Sequence, residues 1–261
     1  MLAKLVHARI RPERLDLAAR AVEDELAPAF AARRGARLGC WMGNRANGHV
    51  LAMTLWADES CAHAEQATDG AERARVAERI GLELHAVETL DVVAVHDLDE
   101  LEPAVPDREP SGNAGAGRAS SGAGGLATRW ARVTWVEGVE LSALDHLPEL
   151  HASIAPDQAS SDGFCASYWF ADHHTGDGMA LSTWASAAQL RDGEPDSRRR
   201  RRAVERALGC HVAMVGEYEA LGVTVRPGPE LQLHLFDGPL GSASADGSAG
   251  WPQRPSGRIA V

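Results

Sequence analysis

Gly35-Ala-Arg-Leu-Gly-Cys-Trp-Met-Gly-Asn-Arg-Ala-Asn-Gly-His-Val-Leu-Ala-Met-Thr-Leu-Trp-Ala57 returns later in the chain as Gly163-Phe-Cys-Ala-Ser-Tyr-Trp-Phe-Ala-Asp-His-His-Thr-Gly-Asp-Gly-Met-Ala-Leu-Ser-Thr-Trp-Ala185. The offset is 128 residues, and it superposes Trp41 on Trp169, Trp56 on Trp184, Gly35 on Gly163, Gly48 on Gly176, Ala52 on Ala180 and Ala57 on Ala185. Tryptophan is scarce, so two such coincidences at one offset mark an internal duplication. Outward from this stretch, the register holds without a gap from His7, which lands on Trp135, to Ala57, and it takes in Pro28 and Pro156. Further on it slips slightly: Glu78-Arg79 matches Glu205-Arg206, and His85 matches His211. Each copy spans about 95 residues.

Periodicity gives each copy one order of elements. In the first, Lys4–Ile10 is a short run closed by Arg-Pro, a strand. Pro12–Arg34 has apolar residues at Leu15, Ala18, Ala19, Val22, Leu26 and Phe30, the three-and-four spacing of an amphipathic helix. Arg37–Gly43 and His49–Trp56 are strand-length, and the Asn-Gly at 47–48 between them signals a hairpin. Asp58-Glu59-Ser60 opens a second helical stretch ending near Gly81, and Leu84–Val95 is a last strand. The second copy repeats this with Arg132–Val136, Leu141–Ile154, Phe164–Phe170, Gly178–Trp184, Ala187–Leu208 and Ala213–Leu221. The order β-α-β-β-α-β is the ferredoxin-like unit, whose sheet carries helices on one face and leaves the other to be covered. The expected fold is therefore α+β: two tandem ferredoxin-like repeats packed sheet to sheet as a pseudo-twofold α+β barrel. The expected organisation is repeat 1 over residues 1–97, a flexible Gly/Ser/Ala-rich linker over 98–128, repeat 2 over 129–222, and a C-terminal extension over 223–261. Within that extension Leu231–Phe236 alternates like a strand, and Gly238–Gly250 reads as disordered.

Composition narrows the class. The chain has 261 residues, with 26 Lys and Arg against 37 Asp and Glu, a net charge of −11. Such a surface repels phosphate backbones, which argues against a nucleic-acid partner. No apolar run approaches the ~20 residues of a membrane helix. Charges inside the first ten residues and the lack of an apolar core there argue against a signal peptide. Four cysteines without CxxC spacing fit neither a disulfide scaffold nor a zinc site. A cytoplasmic protein is expected, with no membrane and no nucleic acid as partner.

The unusual number is tryptophan: 7, against 4 Phe and 2 Tyr. A flat indole is either a large core residue or a wall for a planar aromatic ligand. Trp41 and Trp169 fall at mid-strand, and Trp41 shares a face with Gly39 and Gly43, as if space were kept for something flat. Trp56, Trp135 and Trp184 complete the candidate substrate-binding set. His7, opposite Trp135 in the duplication, is a candidate base, because imidazole titrates near neutrality. His173, His174 and Tyr168 are the other catalytic candidates. Adjacent histidines on an extended chain point apart, so no metal is expected there. The run Arg198–Arg202 reads as an awkward cationic start to a helix Arg199–Leu208. The copies differ at His7/Trp135, Arg45/His173 and His49/Asp177, so one working pocket, in the second copy, is expected beside one degenerate copy.

A β-α-β-β-α-β unit whose third strand ends in Trp before a small or acidic residue and a helix (Leu55-Trp56-Ala57-Asp58-Glu59; Thr183-Trp184-Ala185-Ser186) resembles the antibiotic biosynthesis monooxygenase family of dimeric α+β barrels. This chain looks like the tandem form, and within it most like the ring-opening oxygenases of atypical angucycline biosynthesis. The resemblance implies an oxidoreductase, a mono- or dioxygenase that hydroxylates a polycyclic aromatic polyketide or cleaves one of its C–C bonds with dioxygen. The family's cofactor-free anthrone type carries Asn four residues before the strand-3 Trp, where Ala52 and Ala180 stand here, and on strand 1 near His7 and Trp135. That departure leaves no tightly bound cofactor implied, and leaves room for reduced flavin (FADH2 or FMNH2) from a separate flavin reductase. The haem-degrading type has a Trp early in the second helix; here His63 is present and no Trp follows until Trp130. A tandem chain serves as a monomer or pairs again as a homodimer. The competing expectation is a non-catalytic ligand-binding or regulatory barrel.

Overall fold

The computed structural model describes residues 1–64, 66–97 and 130–225. The expected linker, the alternating Leu231–Phe236 and the stretch Gly238–Gly250 lie outside these residues. Unit 1 runs β1 (Leu2–Arg9), a 3-10 turn (Pro12–Arg14), α1 (Leu15–Ala21), a π-helical segment (Val22–Leu26), α2 (Ala27–Ala31), β2 (Ala36–Gly43), β3 (His49–Trp56), α3 (Glu59–Ala64), α4 (Gln66–Ile80) and β4 (Glu83–Asp97). Unit 2 repeats it: β5 (Trp130–Glu137), a 3-10 segment (Leu141–His146), α5 (Leu147–Ala159), β6 (Phe164–Ala171), β7 (Gly178–Trp184), α6 (Ala187–Asp192), α7 (Glu194–Leu208) and β8 (His211–Val225). The single helix expected over Pro12–Arg34 is wound three ways. Pro28 has no N–H to donate and its ring would crowd the carbonyl of Asp24, so the helix widens there and the Ala27 N–H reaches back five residues to Val22.

The strands close into one barrel, β1-β3-β2-β8-β5-β7-β6-β4, and every pair is antiparallel. The two sheets do more than cover one another; they are hydrogen-bonded at both edges by the two 15-residue strands. β4 pairs with β1 from Glu83 to Asp91 and with β6 from Asp91 to Asp97. β8 pairs with β5 up to Glu219 and with β2 from there to Val225. β2 and β6, edge strands in an isolated repeat, thereby lose their open edges. Side chains alternate. Leu5, Met42, Met53, Val133, Tyr168 and Leu181 fill the barrel, and the intervening residues face the helices.

The duplication reaches individual hydrogen bonds. Trp56 Nε1 donates to Thr54 Oγ1 (3.2 Å) and Trp184 Nε1 to Ser182 Oγ (3.1 Å). Ala57 N–H donates to the Gly35 carbonyl and Ala185 N–H to that of Gly163, both at 2.8 Å. Buried Lys4 donates to the Ala62 carbonyl (2.5 Å), and its counterpart Arg132 to that of Leu190 (2.9 Å). The side chains of Asn44 and Asp172 each accept from two backbone N–H groups of their hairpin. Each hairpin also touches the last strand of the other unit, through the pair Arg45–Glu219 and the pair His173–Asp91 (3.8 Å).

Gly176 has φ +74°, and a Cβ there would collide with the Val139 carbonyl oxygen. Gly176→Ala is expected to lower stability by about 1–3 kcal/mol in urea unfolding. Gly70, in α4 with nothing nearby, is the control: Gly70→Ala is expected to raise stability by up to about 1 kcal/mol.

Candidate functional site

In unit 1 the space between sheet and helices is shut. Phe30 sets its edge against both Trp41 (ring centroids 6.0 Å) and Trp56 (5.2 Å). The Trp41 indole lies over Gly39, 2.5 Å from where a Cβ would stand, and Leu15 and Leu221 fill the space over Gly43. The glycines beside Trp41 therefore hold no slot for a flat ligand; the protein's own rings occupy it. Trp41 is 6% exposed and Trp56 0%, so both are core residues, a correction to the substrate-binding role expected of them.

In unit 2 the same offset replaces Phe30 by Gln158, Gly39 by Ser167, Glu23 by His151 and Leu15 by Ala143. The aromatic ring lost from the helix reappears on β6 as Phe164, set edge-on to Trp184 (5.6 Å). Trp184 stays fully buried, again core rather than ligand wall. Trp169 loses that helix-borne phenyl cover and lines a cavity of about 860 Å³, its open mouth included. Its floor is Thr134, Ser167, Trp169, Ala180 and Ser182, and its roof Leu147, Ile154, Gln158, Arg200, Arg201 and Val204. Of the expected site residues, Trp169 is the one placed in this cavity.

The polar groups at the cavity are few. Ser167, 1% exposed, has its Oγ 3.1 Å from His151 Nε2. His151 projects from α5, is buried, and presents its ring edge-on to Trp169 (5.1 Å). Burial, and secondarily the nearby His96, push its imidazole down to about 4, so it is neutral at neutral pH. Arg132 is 2% exposed and donates to Ser197 Oγ (3.0 Å), the Leu190 carbonyl and Glu217 (2.9 Å), with Glu194 at 3.1 Å. Burial raises Glu194, but the hydrogen bond from Arg201 and the charges of Arg132, Arg201 and Arg198 outweigh it and hold the carboxyl below its usual range. The sequence reading that the arginine run starts a helix at Arg199 is corrected. α7 begins at Glu194, with Glu194 and Asp196 in its first turn, and Arg200 and Arg201 turn inward to the mouth on Asp157 and Glu194.

The other candidates lie elsewhere. His7 and Trp135 do meet across the two units, at 6.2 Å, but inside one end of the barrel. There His7 stands 5.7 Å from His49, whose Nδ1 is 2.9 Å from Tyr218 Oη, and Tyr218 lies edge-on to Trp135 (6.5 Å). Burial pushes His7 down, helped by the charge of His85; it pushes His49 down to about 4 and the Tyr218 phenol up. His7 Nε2 is buried without a hydrogen-bond partner among the described residues and lies 3.8 Å from Glu88. This cluster joins the units and lies apart from the unit 2 cavity. Tyr168 points into the barrel core, because its neighbour Trp169 points out. His173 is on the β6–β7 turn beside Asp91, and His174 is exposed. Among the described residues no three His, Cys, Asp or Glu side chains are placed to hold a metal.

Sequence reasoning missed Ser167, His151, Gln158 and Arg132. For Ser167 and Gln158 the signal was available in the duplication itself, where the other copy has Gly39 and Phe30; His151 and Arg132 stand opposite polar Glu23 and Lys4, and the duplication does not single them out.

No family model matches the chain, and no curated protein matches it either. Solved structures do. A protein from Fusobacterium nucleatum subsp. nucleatum, described as a "putative monooxygenase", superposes with a TM-score of 0.56 at 11% identity over 87% of this chain and 95% of its own. A "putative monooxygenase" from Lactobacillus acidophilus gives 0.54 at 10% identity over 87% and 99%. An "anthrone oxidase-like protein" gives 0.50 at 15% identity over 86% and 93%. These likenesses establish the fold, the tandem α+β barrel expected from the duplication. No helix among the described residues is long and apolar enough to cross a membrane.

Proposed function

We propose that this protein is an oxygenase that takes a planar polycyclic aromatic substrate, a phenol, hydroquinone or quinone of the aromatic polyketide type, into the helix–sheet cavity of unit 2. The observation that carries this reading is the exchange of a closed Phe30–Trp41–Trp56 packing for a cavity lined by half-buried Trp169, where the smaller ring of neutral His151 meets the indole edge-on and backs Ser167. The fold it shares with proteins described as monooxygenases supports it.

Dioxygen is a triplet and reacts slowly with closed-shell molecules, so the protein's task is to present an electron-rich ring in a dry site. Trp169 supplies a flat wall. A neutral imidazole has one N–H and one lone pair. With the proton on Nε2, His151 donates to Ser167, and the serine hydroxyl donates to a substrate oxygen. With the proton on Nδ1, Ser167 donates to His151 and accepts from a phenol. The pair thus serves both protonation states of the substrate at one point. In a hydroxylation, one oxygen atom enters the ring and the other leaves as water. The two electrons come from the substrate's own hydroquinone or from reduced flavin delivered by a separate reductase. Cleavage of a ring C–C bond in antibiotic biosynthesis is the alternative outcome of the same attack.

The test is anaerobic mixing with a polycyclic hydroquinone, then a pulse of 18O2, with and without reduced flavin, followed by mass analysis. Label in a product formed only with protein supports the oxygenase reading. Binding without any product above the protein-free control leaves a ligand-binding barrel instead. Ser167→Ala and His151→Gln are each expected to lower kcat/KM by about 10- to 100-fold, with the double variant little worse than either single one. Equal activity in Ser167→Ala and the parent would remove the serine from the mechanism.

A further inference from the structure

Along α5, Leu147, His151, Ile154 and Gln158 form one stripe at i, i+4, i+7 and i+11 facing the sheet. Leu147, Ile154 and Gln158 line the cavity, and His151 reaches it through Ser167. Gln158 is thus two helical turns beyond His151, about 10 Å along the axis. Its side-chain amide makes no hydrogen bond among the described residues. Its counterpart in unit 1 is Phe30, the ring that closes that unit on Trp41 and Trp56. One exchange therefore removes the ring that fills the space and leaves an amide on the helix side of the cavity, two turns from His151.

Resting on the proposed reading of this cavity, we infer that Gln158 is a specificity-determining residue. The cavity recognises a flat ligand with hydrogen-bonding oxygens at two ends, one met by Ser167 and the other by Gln158. Ile154, which lies between His151 and Gln158 on the stripe, gives the middle of the ligand nothing to bond, and with Leu147 and Val204 on the same lining it favours fused rings over a flexible chain. The amide both donates and accepts, so it fits a hydroxyl or a carbonyl equally.

The probes are 2,6-dihydroxyanthraquinone, with hydroxyls at opposite ends, and 2-hydroxyanthraquinone, with one. Each is titrated against the full chain by tryptophan-fluorescence quenching, with stoichiometry from equilibrium dialysis. The parent protein is expected to bind one equivalent and to prefer the dihydroxy compound by about tenfold, one hydrogen bond's worth. Gln158→Leu keeps the volume and removes the amide. It is expected to lose the preference while holding the monohydroxy compound as well as the parent does. Gln158→Phe copies unit 1 and is expected to weaken both compounds by at least tenfold. Circular dichroism and the thermal midpoint of each variant separate lost binding from lost folding. An undiminished preference in folded Gln158→Leu overturns the role of Gln158 and leaves the cavity reading standing. Failure of the parent to bind either compound overturns both.

Discussion

Trp56→Ala is expected to lower stability by about 3–5 kcal/mol, and Trp184→Ala by a similar amount. Both rings are fully buried, and each indole N–H is bonded to a hydroxyl two residues back on the same strand. Truncation opens a cavity, strips Phe30 of one of its two aromatic neighbours and leaves Thr54 Oγ1 without its donor. Set against a typical total of about 5–15 kcal/mol, that is a large fraction. In thermal scans each kcal/mol is worth about 2–4 °C for a chain of this size, so the midpoint should fall by roughly 10 °C. Trp169→Ala is the informative contrast. Its indole faces the cavity, so it should lose ligand affinity and cost much less stability. A drop below 1 kcal/mol for Trp56→Ala would mean that unit 1 is not the closed, packed half described above.

Acidification is expected to destabilise the protein well before its carboxylates titrate. His151 and His49 are pushed from 6.5 to about 4 in the folded protein, and His7 is lowered as well. Between those limits the unfolded chain binds protons that the folded chain refuses. Unfolding is therefore favoured as pH falls from 6.5 toward 4, and above 6.5 these groups contribute no pH dependence. At about 1.4 kcal/mol per pKa unit, His151 alone represents up to about 3 kcal/mol, and the less buried His49 a discounted share. Urea midpoints measured from pH 7 down to 4.5 should decline steadily. In His151→Gln the decline should be shallower by that residue's share. A flat profile between pH 7 and 5 would show that neither imidazole is held neutral.

Much of the fold was legible because the duplication repeats both spacing and chemistry. Paired glycines, the Asn44 and Asp172 hairpin residues, and the Trp-Ala strand ends all recur as the same hydrogen bonds. What stayed hidden was non-local. Nothing within β4 or β8 says that its second half pairs with the other unit, since a strand's own pattern reports its faces and not its neighbours. The start of α7 was legible in principle, because Pro195 follows Glu194 at a position helices favour for proline. The site was the least legible part. Alternation shows that Trp41 and Trp169 face the same way, but whether that face is filled depends on Phe30 and Gln158, contributed from a helix. His7 and Trp135 drew notice by their difference, yet their encounter inside the barrel end follows from closure. The polar pair that reaches the cavity joins β6 to α5 and needs the packed fold to become visible.

The two long strands have a historical consequence. Two copies of a single repeat assembled as separate chains would carry every substitution twice, so a phenylalanine that seals one cavity would seal both. Covalent linkage through residues 98–129 breaks that bookkeeping. Once β4 and β8 are committed to opposite partners within one chain, one half is free to harden into scaffold while the other trades a packed ring for an amide. The unequal halves of this barrel are what a shared gene makes inheritable.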